Sequence, residues 1–358
     1  MRVGLVLGAG GVLGGAWVVG ALEALAAETG WDPGSADRIV GTSAGAMVGA
    51  LSACGIPPWF MVAHSIGETE VPDPDADATR SAGATYRLHR GIPSLGPGSW
   101  RLAAASLARP YRYSPTAVLA GWLPGGFVST EPLKATVRAV AGDGWAPHPG
   151  LWIVACDYAT GRRVAFGRDD APPASLADAV AASCAIPGFY RAVEIGDRRY
   201  VDGGVASTSN LDVLAEAELD LVICLNPTSS LHAAQQRRPA ERAAAVLRQA
   251  SGRRLGREAR RVRAAGTEVV LIQPAIQDLD AMGTNLMSGR RRNEVIAVAV
   301  ETVARHLQEP EIKARLRGLP PGVPEFVQRP PGRLPGLSEL AGRADERWQS
   351  GSAAAAGG

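Results

Sequence analysis

The chain has 358 residues, of which 46% are apolar, and a formal net charge of +2 at neutral pH. This length and apolar content are sufficient for one large buried core, and the small net charge gives no reason to expect a nucleic-acid partner. The four cysteines are scattered without a C-x-x-C pair, which argues against a disulfide framework and against a zinc site.

The first predicted elements alternate between strand and helix. "RVGLVLGAGG" predicts a buried strand that ends in a glycine loop, and "GAWVVGALEALAAE" predicts a helix. "DRIVG" predicts a second strand and "SAGAMVGALSACG" a second helix, which stops at "GIPP". This alternation is typical of an α/β fold with a mostly parallel sheet. A cytoplasmic protein is expected, because the sequence shows neither a secretory signal pattern nor a run of about 18 apolar residues.

The rest of the chain divides by composition. Residues 67–126 are rich in Pro, Gly, Ser and Asp with interspersed aromatic residues, which predicts a cap or lid-like excursion over the sheet. Regular elements then return: "LWIVACDYATGRRVAFG" predicts a hairpin, "LVICLN" and "EVVLIQP" predict strands, and "NEVIAVAVETVARHL" predicts an amphipathic helix. We therefore expect one folded domain over residues 1–310 and a disordered tail, rich in Pro, Gly and Arg, over residues 311–358.

Ser43 lies in a G-x-S-x-G pentapeptide that runs from Gly41 to Gly45. This pattern forces a sharp turn from strand to helix, leaves the serine hydroxyl exposed at the tip, and is typical of an acyl-transfer nucleophile. The competing interpretation is a tight turn in front of an ordinary helix.

The glycine loop over residues 8–14 has two interpretations. A dinucleotide site, as in a nucleotide-binding oxidoreductase, requires G-x-G-x-x-G, but Leu13 stands at the sixth position and Asp37 precedes the second strand instead of closing it. Alternatively, the backbone amides of Gly10 and Gly11, at the start of a helix, form an oxyanion hole.

Asp202 precedes Gly203 and Gly204 and follows a short predicted strand. A desolvated carboxylate beside a serine hydroxyl can accept its proton directly. Asp-Gly is also a common turn dipeptide, so a plain turn remains the alternative.

Taken together and in this order, the glycine loop, the Ser43 turn and the Asp202-Gly203-Gly204 stretch resemble the patatin-like phospholipase family, and "AASCAIPGFYRAVEI" resembles the family's approach to its aspartate. The resemblance covers roughly residues 1–310. It implies a three-layer α/β/α sandwich, a Ser43–Asp202 dyad, and hydrolysis of lipid carboxylic esters through an acyl-enzyme, without a metal or cofactor. The loop departs from the family's usual G-G-G-x-R/K-G at Ala9 and Leu13, so oxyanion stabilisation would depend on backbone amides alone.

Other interpretations remain open. A Ser–His–Asp triad would have to use His232 or His306, and residues 73–84 match a calcium loop only in part. A catalytically weak lipid-binding or scaffold protein on the same fold is a further alternative. Residues 237–263 contain ten arginines and two glutamates, which is typical of a solvated helix or of a basic face in peripheral contact with an anionic membrane.

Overall fold

The computed structural model describes residues 1–68, 96–108, 113, 115–230, 239–337 and 339–343. The strands in these ranges are β1 Val3–Leu7, β2 Arg38–Thr42, β3 Leu151–Asp157, β4 Arg163–Phe166, β5 Val193–Ile195, β6 Arg198–Asp202, β7 Leu221–Leu225 and β8 Glu268–Ile272. The helices are α1 Gly11–Thr29, α2 Ala44–Ala53, α3 Pro58–Ser65, α4 Trp100–Ala108, α5 Pro115–Trp122, α6 Glu131–Ala141, α7 Leu176–Ser183, α8 Pro239–Ala264, α9 Ile276–Met282, α10 Arg292–Leu307, α11 Pro310–Leu316 and α12 Pro324–Val327.

The strands form one mixed sheet in the order β5-β6-β3-β2-β1-β7-β8. Its centre is parallel, because β1 pairs with β2 and β7, β2 pairs with β3, and β7 pairs with β8 in that sense. The predicted hairpin is confirmed, since β4 pairs antiparallel with β3. The central strands are buried on both faces, as their continuous apolar sequences predict.

Helices cover both faces of the sheet. One face packs against α1, α2, α7 and α10, with side chains such as Leu5, Ile39 and Ile153 in that core. The alternate strand residues point to the other face, where α8 covers the β1–β7–β8 side and α4 and α5 cover β3 and β6. The three-layer α/β/α sandwich predicted from the sequence is therefore confirmed.

β3 extends beyond the end of β2, and this overhang carries β6. β2 pairs with β3 up to Val154, β4 pairs with residues 153–156, and β6 pairs antiparallel with residues 155–157. Since Cys156 pairs with β4 and β6 at once, β6 occupies the edge of β3 that β2 leaves free. The carboxyl ends of β2 and β6 consequently face each other along one edge of β3.

α1 is long and apolar enough to cross a membrane by length and composition alone. It is also near the N-terminus, and 67% of its most apolar window is buried inside the fold. Its glycine at position 20 allows close packing on α10, because a Cβ there would lie 2.6 Å from the Ile296 carbonyl oxygen. α1 is thus a core helix of the sandwich.

The segment after α10 differs from its predicted disorder. Residues 310–327 contain α11 and α12, the Gly322 amide donates to the Gly30 carbonyl at 2.7 Å, and Trp59 Nε1 donates to the Glu325 carbonyl at 3.0 Å. Phe326 is buried. The prediction of disorder is corrected for residues 311–337 and 339–343. Composition was misleading because prolines begin both short helices, where a missing N–H costs nothing. Residues 338 and 344–358 lie outside the described ranges.

The predicted excursion over residues 67–126 is described in part. Its helices α4 and α5 pack on β3 and β6 through Leu102, Ala117 and Ala120. Residues 69–95, 109–112 and 114 lie outside the described ranges, as does the partial calcium-loop match.

Candidate active site

Ser43 lies between β2 and α2 in a backbone conformation that few non-glycine residues adopt, with φ 55° and ψ −122°. Such a conformation costs about 1–3 kcal/mol and is characteristic of functional turns. Both flanking glycines are required by space: a Cβ on Gly41 would lie 2.5 Å from Ala46 Cα, and one on Gly45 would lie 2.1 Å from the Leu7 carbonyl oxygen. The local sequence therefore folds into the predicted sharp turn.

The turn is not exposed as the motif predicts. Ser43 is 4% exposed, because the residues around Asp202 and the end of α7 pack against it. The Ser43 side chain therefore lies in a desolvated site, where electrostatic interactions are stronger than in water.

The backbone of Ser43 is held by the end of α7. Its amide donates to Ser183 Oγ at 2.9 Å, and that hydroxyl donates in turn to the Val154 carbonyl at 2.6 Å. The Cys184 thiol donates to the Ser43 carbonyl at 3.2 Å. No role was predicted for Ser183 or Cys184 from the sequence. The available signal was that both residues lie in the stretch "AASCAIPGFYRAVEI" that precedes Asp202.

Asp202 ends β6 opposite Ala155 of β3, level with the end of β2. Its carboxylate accepts a hydrogen bond from the Gly204 amide at 2.7 Å, and the Ser43 side chain is close enough to lower the pKa of Asp202 by hydrogen bonding. Burial raises the pKa of Asp202 to about 6, and these two hydrogen bonds oppose the rise. The group is therefore ionised at neutral pH yet a much better base than an exposed carboxylate.

Glycines also make room for the carboxylate. A Cβ on Gly203 would lie 2.3 Å from the Val154 carbonyl oxygen, and one on Gly204 would lie 2.9 Å from Asp202 Oδ1. Any other residue would require a shift of the backbone at position 203 and a shift of the Asp202 carboxylate at position 204.

The glycine loop joins the same site. A Cβ on Gly204 would lie 3.6 Å from the Ala9 Cβ, and one on Gly15 would lie 3.3 Å from the Ala44 Cβ, so the loop contacts both the Asp202 turn and the start of α2. Within the part of the chain that the structure describes, the amides of Gly10, Gly11 and Val12 have no hydrogen-bond acceptor. These three N–H groups at the α1 N-terminus are available to a developing negative charge.

Neither Gly10 nor Gly11 has space for a side chain. A Cβ on Gly10 would lie 2.7 Å from Gly14 Cα, and one on Gly11 would lie 2.9 Å from Met287 Sδ. Gly11 also has a φ of 61°, which disfavours other residues. Leu13 is 1% exposed and its amide donates to the Leu286 carbonyl at 2.9 Å. Its side chain therefore belongs to the core and not to the open side of the glycine loop.

A buried loop from Ser207 to Asn210 connects all three parts. The Thr208 carbonyl accepts from the Ala9 amide at 2.7 Å. Asn210 Nδ2 donates to Thr42 Oγ1 at 3.0 Å and to the Gly203 carbonyl at 3.4 Å. Asn210 is fully buried and has a φ of 52°. It joins the strand before Ser43 to the turn after Asp202, a role that the sequence analysis missed because a single Asn in "STSNL" carries no distinctive signal.

A family model for patatin-like phospholipases matches residues 5–215, which is more than half of the chain and runs from β1 past the Asp202 turn. The chain belongs to the patatin-like phospholipase family. The resemblance predicted from the sequence is confirmed, and membership of the family assigns to this protein, in general terms, lipid acyl hydrolase activity on lipid substrates.

The patatin-like domain brings together every residue that the sequence analysis placed in the site. Ser43, Asp202, Gly10 and Gly11 meet at the carboxyl ends of β1 and β2. Of the histidines considered for a triad, His306 lies on α10 with its Nδ1 3.1 Å from Glu309 Oε1, and His232 is outside the described ranges. Among the described residues, no three His, Cys, Asp or Glu side chains are grouped as metal ligands.

Proposed function

We propose that this patatin-like protein is a serine-dependent lipid acyl hydrolase in which Ser43 is the nucleophile and Asp202 is the base. The observation that supports this most strongly is the position of Ser43 beside the buried Asp202 carboxylate, at the point where β2 and β6 end along β3 and burial raises the pKa of Asp202 to about 6. A general base is most effective when its pKa lies near the working pH. The unpaired amides of the glycine loop add the electrostatic part of the same mechanism.

The reaction has two halves. Ser43 Oγ attacks the ester carbonyl carbon while Asp202 takes the hydroxyl proton, and the amides of Gly10 and Gly11 stabilise the oxyanion. The carbon–oxygen bond to the alcohol then breaks, Asp202 returns its proton to the leaving oxygen, and the acyl group stays on Ser43. In the second half, Asp202 takes a proton from water, the resulting hydroxide attacks the acyl-enzyme, and the proton returns to Ser43 as the fatty acid leaves. No metal or cofactor enters these steps.

The nucleophile is tested with a fluorophosphonate probe. We expect one labelled residue, Ser43, and no labelling of Ser43→Ala. Labelling that persists in Ser43→Ala would remove this serine from the mechanism. Hydrolysis of p-nitrophenyl esters, compared with that of phospholipid vesicles, then separates an active hydrolase from a lipid-binding protein that has lost turnover.

The dyad is tested against a triad. Asp202→Asn should reduce kcat roughly 10²–10⁴-fold, whereas His306→Ala should leave kcat unchanged. A histidine substitution, at position 232 or 306, that silences the enzyme as deeply as Asp202→Asn would support the triad instead.

A cytoplasmic protein in peripheral contact with an anionic membrane remains part of this proposal. The relevant helix is α8, where Arg253, Arg257 and Arg260 are exposed. Other arginines of α8 are already paired: Arg254 donates to Glu258 at 3.0 Å, and Arg261 lies 3.6 Å from Asp212. The basic face available to lipid headgroups is therefore smaller than the count of arginines indicates. Loss of binding to anionic vesicles in Arg253→Glu/Arg260→Glu would support this contact, and unchanged binding would contradict it.

A further inference from the structure

Large apolar side chains are exposed in one short stretch beside the active site. Five residues between positions 100 and 127 have 44–68% of their surface exposed. We name them the α4–α5 face: Trp100, Leu107, Leu119, Trp122 and Phe127. Large exposed apolar patches on folded proteins mark interaction surfaces.

The two helices present these side chains away from the sheet. Trp100 and Leu107 are seven residues apart on α4, and Leu119 and Trp122 are three apart on α5, so each pair shares one side of its helix. The opposite side of the helices is buried: Leu102, Ala117 and Ala120 pack on β3 and β6. Both helices therefore carry apolar side chains on the side that faces solvent as well as on the side that faces the core.

The charge of this stretch has one sign. Residues 96–130 contain no Asp or Glu and three arginines, of which Arg101 is described and exposed. Tryptophan is favoured at the boundary between lipid tails and water, and arginine is attracted to anionic headgroups. A partner that is apolar inside and negatively charged at its surface fits both observations, and an anionic lipid bilayer has those properties.

The face adjoins the candidate active site through two contacts. Thr116 Oγ1, on α5, donates to the Val205 carbonyl at 2.6 Å, three residues after Asp202. Leu123, directly after α5, packs against Gly188, since a Cβ there would lie 3.4 Å from Leu123 Cδ1. Gly188 is four residues beyond Cys184, which donates to the Ser43 carbonyl.

We infer that the α4–α5 face docks on an anionic lipid bilayer and holds the site against the surface from which the ester is taken. This inference rests on the proposed function for its substrate class. The predicted binding of the protein to the bilayer, however, does not require catalytic turnover.

Binding is measured with the Ser43→Ala protein, by co-sedimentation with vesicles of phosphatidylcholine alone or mixed with phosphatidylglycerol. We expect binding to the mixed vesicles that weakens as salt is raised. Adding Trp100→Ser, Leu119→Ser and Trp122→Ser should weaken it by at least about tenfold. The matched control is Ile276→Ser/Val323→Ser, which removes exposed apolar side chains outside α4, α5 and α8 and should leave binding unchanged.

Hydrolysis separates this inference from the proposed function. In the active protein, the triple variant should keep its rate on a soluble p-nitrophenyl ester and lose about tenfold on phospholipid in mixed vesicles. Equal vesicle binding by the triple variant and its parent would overturn the inference, as would no binding by Ser43→Ala at any salt concentration. Either result leaves the labelling of Ser43 as a separate test of the catalytic proposal.

Discussion

At the scale of single residues, Asp202 combines a gain in basicity with a cost in stability. Burial raises its pKa to about 6, whereas the unfolded chain has the ordinary value of 3.8. If Asp202 is the base, its ionised form is required. We therefore expect kcat/KM to fall as the pH is lowered through about 6, which a pH–rate profile on a soluble ester measures. A profile that is flat down to pH 4.5 would contradict this assignment.

The same shift predicts a stability effect of Asp202→Asn. Because the folded pKa lies above the unfolded one, the folded state binds the proton more tightly, and the ionised group destabilises it at high pH. A shift of this size corresponds to about 3 kcal/mol, fully present above pH 6 and absent below about pH 3.8. Asp202→Asn should thus raise the Tm at pH 8, with a difference that disappears toward pH 4. A lower Tm for the variant at pH 8 would show that the asparagine does not replace the carboxylate's hydrogen bonds.

Substitution should lower stability at Leu13 and lower the reaction rate at Gly11. Leu13→Arg places an unpaired guanidinium in the core, so it should lower the Tm strongly and give no gain in rate. Gly11→Ala forces a Cβ toward Met287 and disturbs an amide of the proposed oxyanion hole; loss of one such donor typically costs about 2.7–4 kcal/mol of transition-state stabilisation. Thermal melts and kcat on one ester distinguish the two effects. Full activity in Gly11→Ala would show that this loop does not form the oxyanion hole. Nucleotide binding to the loop would then have to be measured by titration.

At the scale of elements, the sequence predicted the first two strands, the first two helices and the turns that hold Ser43 and Asp202, because each has a local signal. Glycines around Ser43 and Asp202 indicate tight turns. The sequence did not predict how Asp202 comes to lie beside Ser43. That depends on β3 being longer than β2 and on β6 pairing antiparallel with the overhang, and strand pairing between distant segments leaves no local pattern.

Asn210 offers a test of how firmly these elements are joined. Asn210→Ala removes the hydrogen bonds that the Asn210 side chain donates to Thr42 and Gly203. The alanine must also adopt a φ of 52°, which it disfavours. It should cost about 1–3 kcal/mol of stability and lower kcat more than it raises KM. Asn210→Gly relieves the backbone and should recover part of the Tm, but not kcat. Wild-type kcat in both variants would mean that the hydrogen bonds do not position the site.

At the scale of the whole molecule, the layers were predictable and the C-terminal boundary was not. Alternation of strand and helix patterns specifies a sandwich. The last helices are short, proline-rich and surrounded by glycine and arginine, so only their contacts with α3 and with Gly30 show that they belong to the fold.

Phe326 tests whether this segment stabilises the domain. Phe326→Ala should lower the free energy of unfolding by about 3–5 kcal/mol, since the ring is buried. Val323→Ala, one residue before α12, is the control, because Val323 is 46% exposed and should change stability by less than about 0.5 kcal/mol. Chemical denaturation measures both. Equal effects would mean that α12 does not pack on the domain in solution.

In the proposed mechanism, the pairing of β6 with the β3 overhang also determines when the protein becomes reactive. Ser43 and its glycine loop come from neighbouring segments near the N-terminus, whereas Asp202 arrives only when a strand distant in sequence has paired. Contacts between distant segments form slowly, because loop closure must precede them. In the proposed mechanism, a chain emerging from the ribosome therefore carries its nucleophile well before its base. Reactivity toward a fluorophosphonate should return later in refolding than the far-UV signal of the helices, so that an incomplete chain leaves nearby lipids intact.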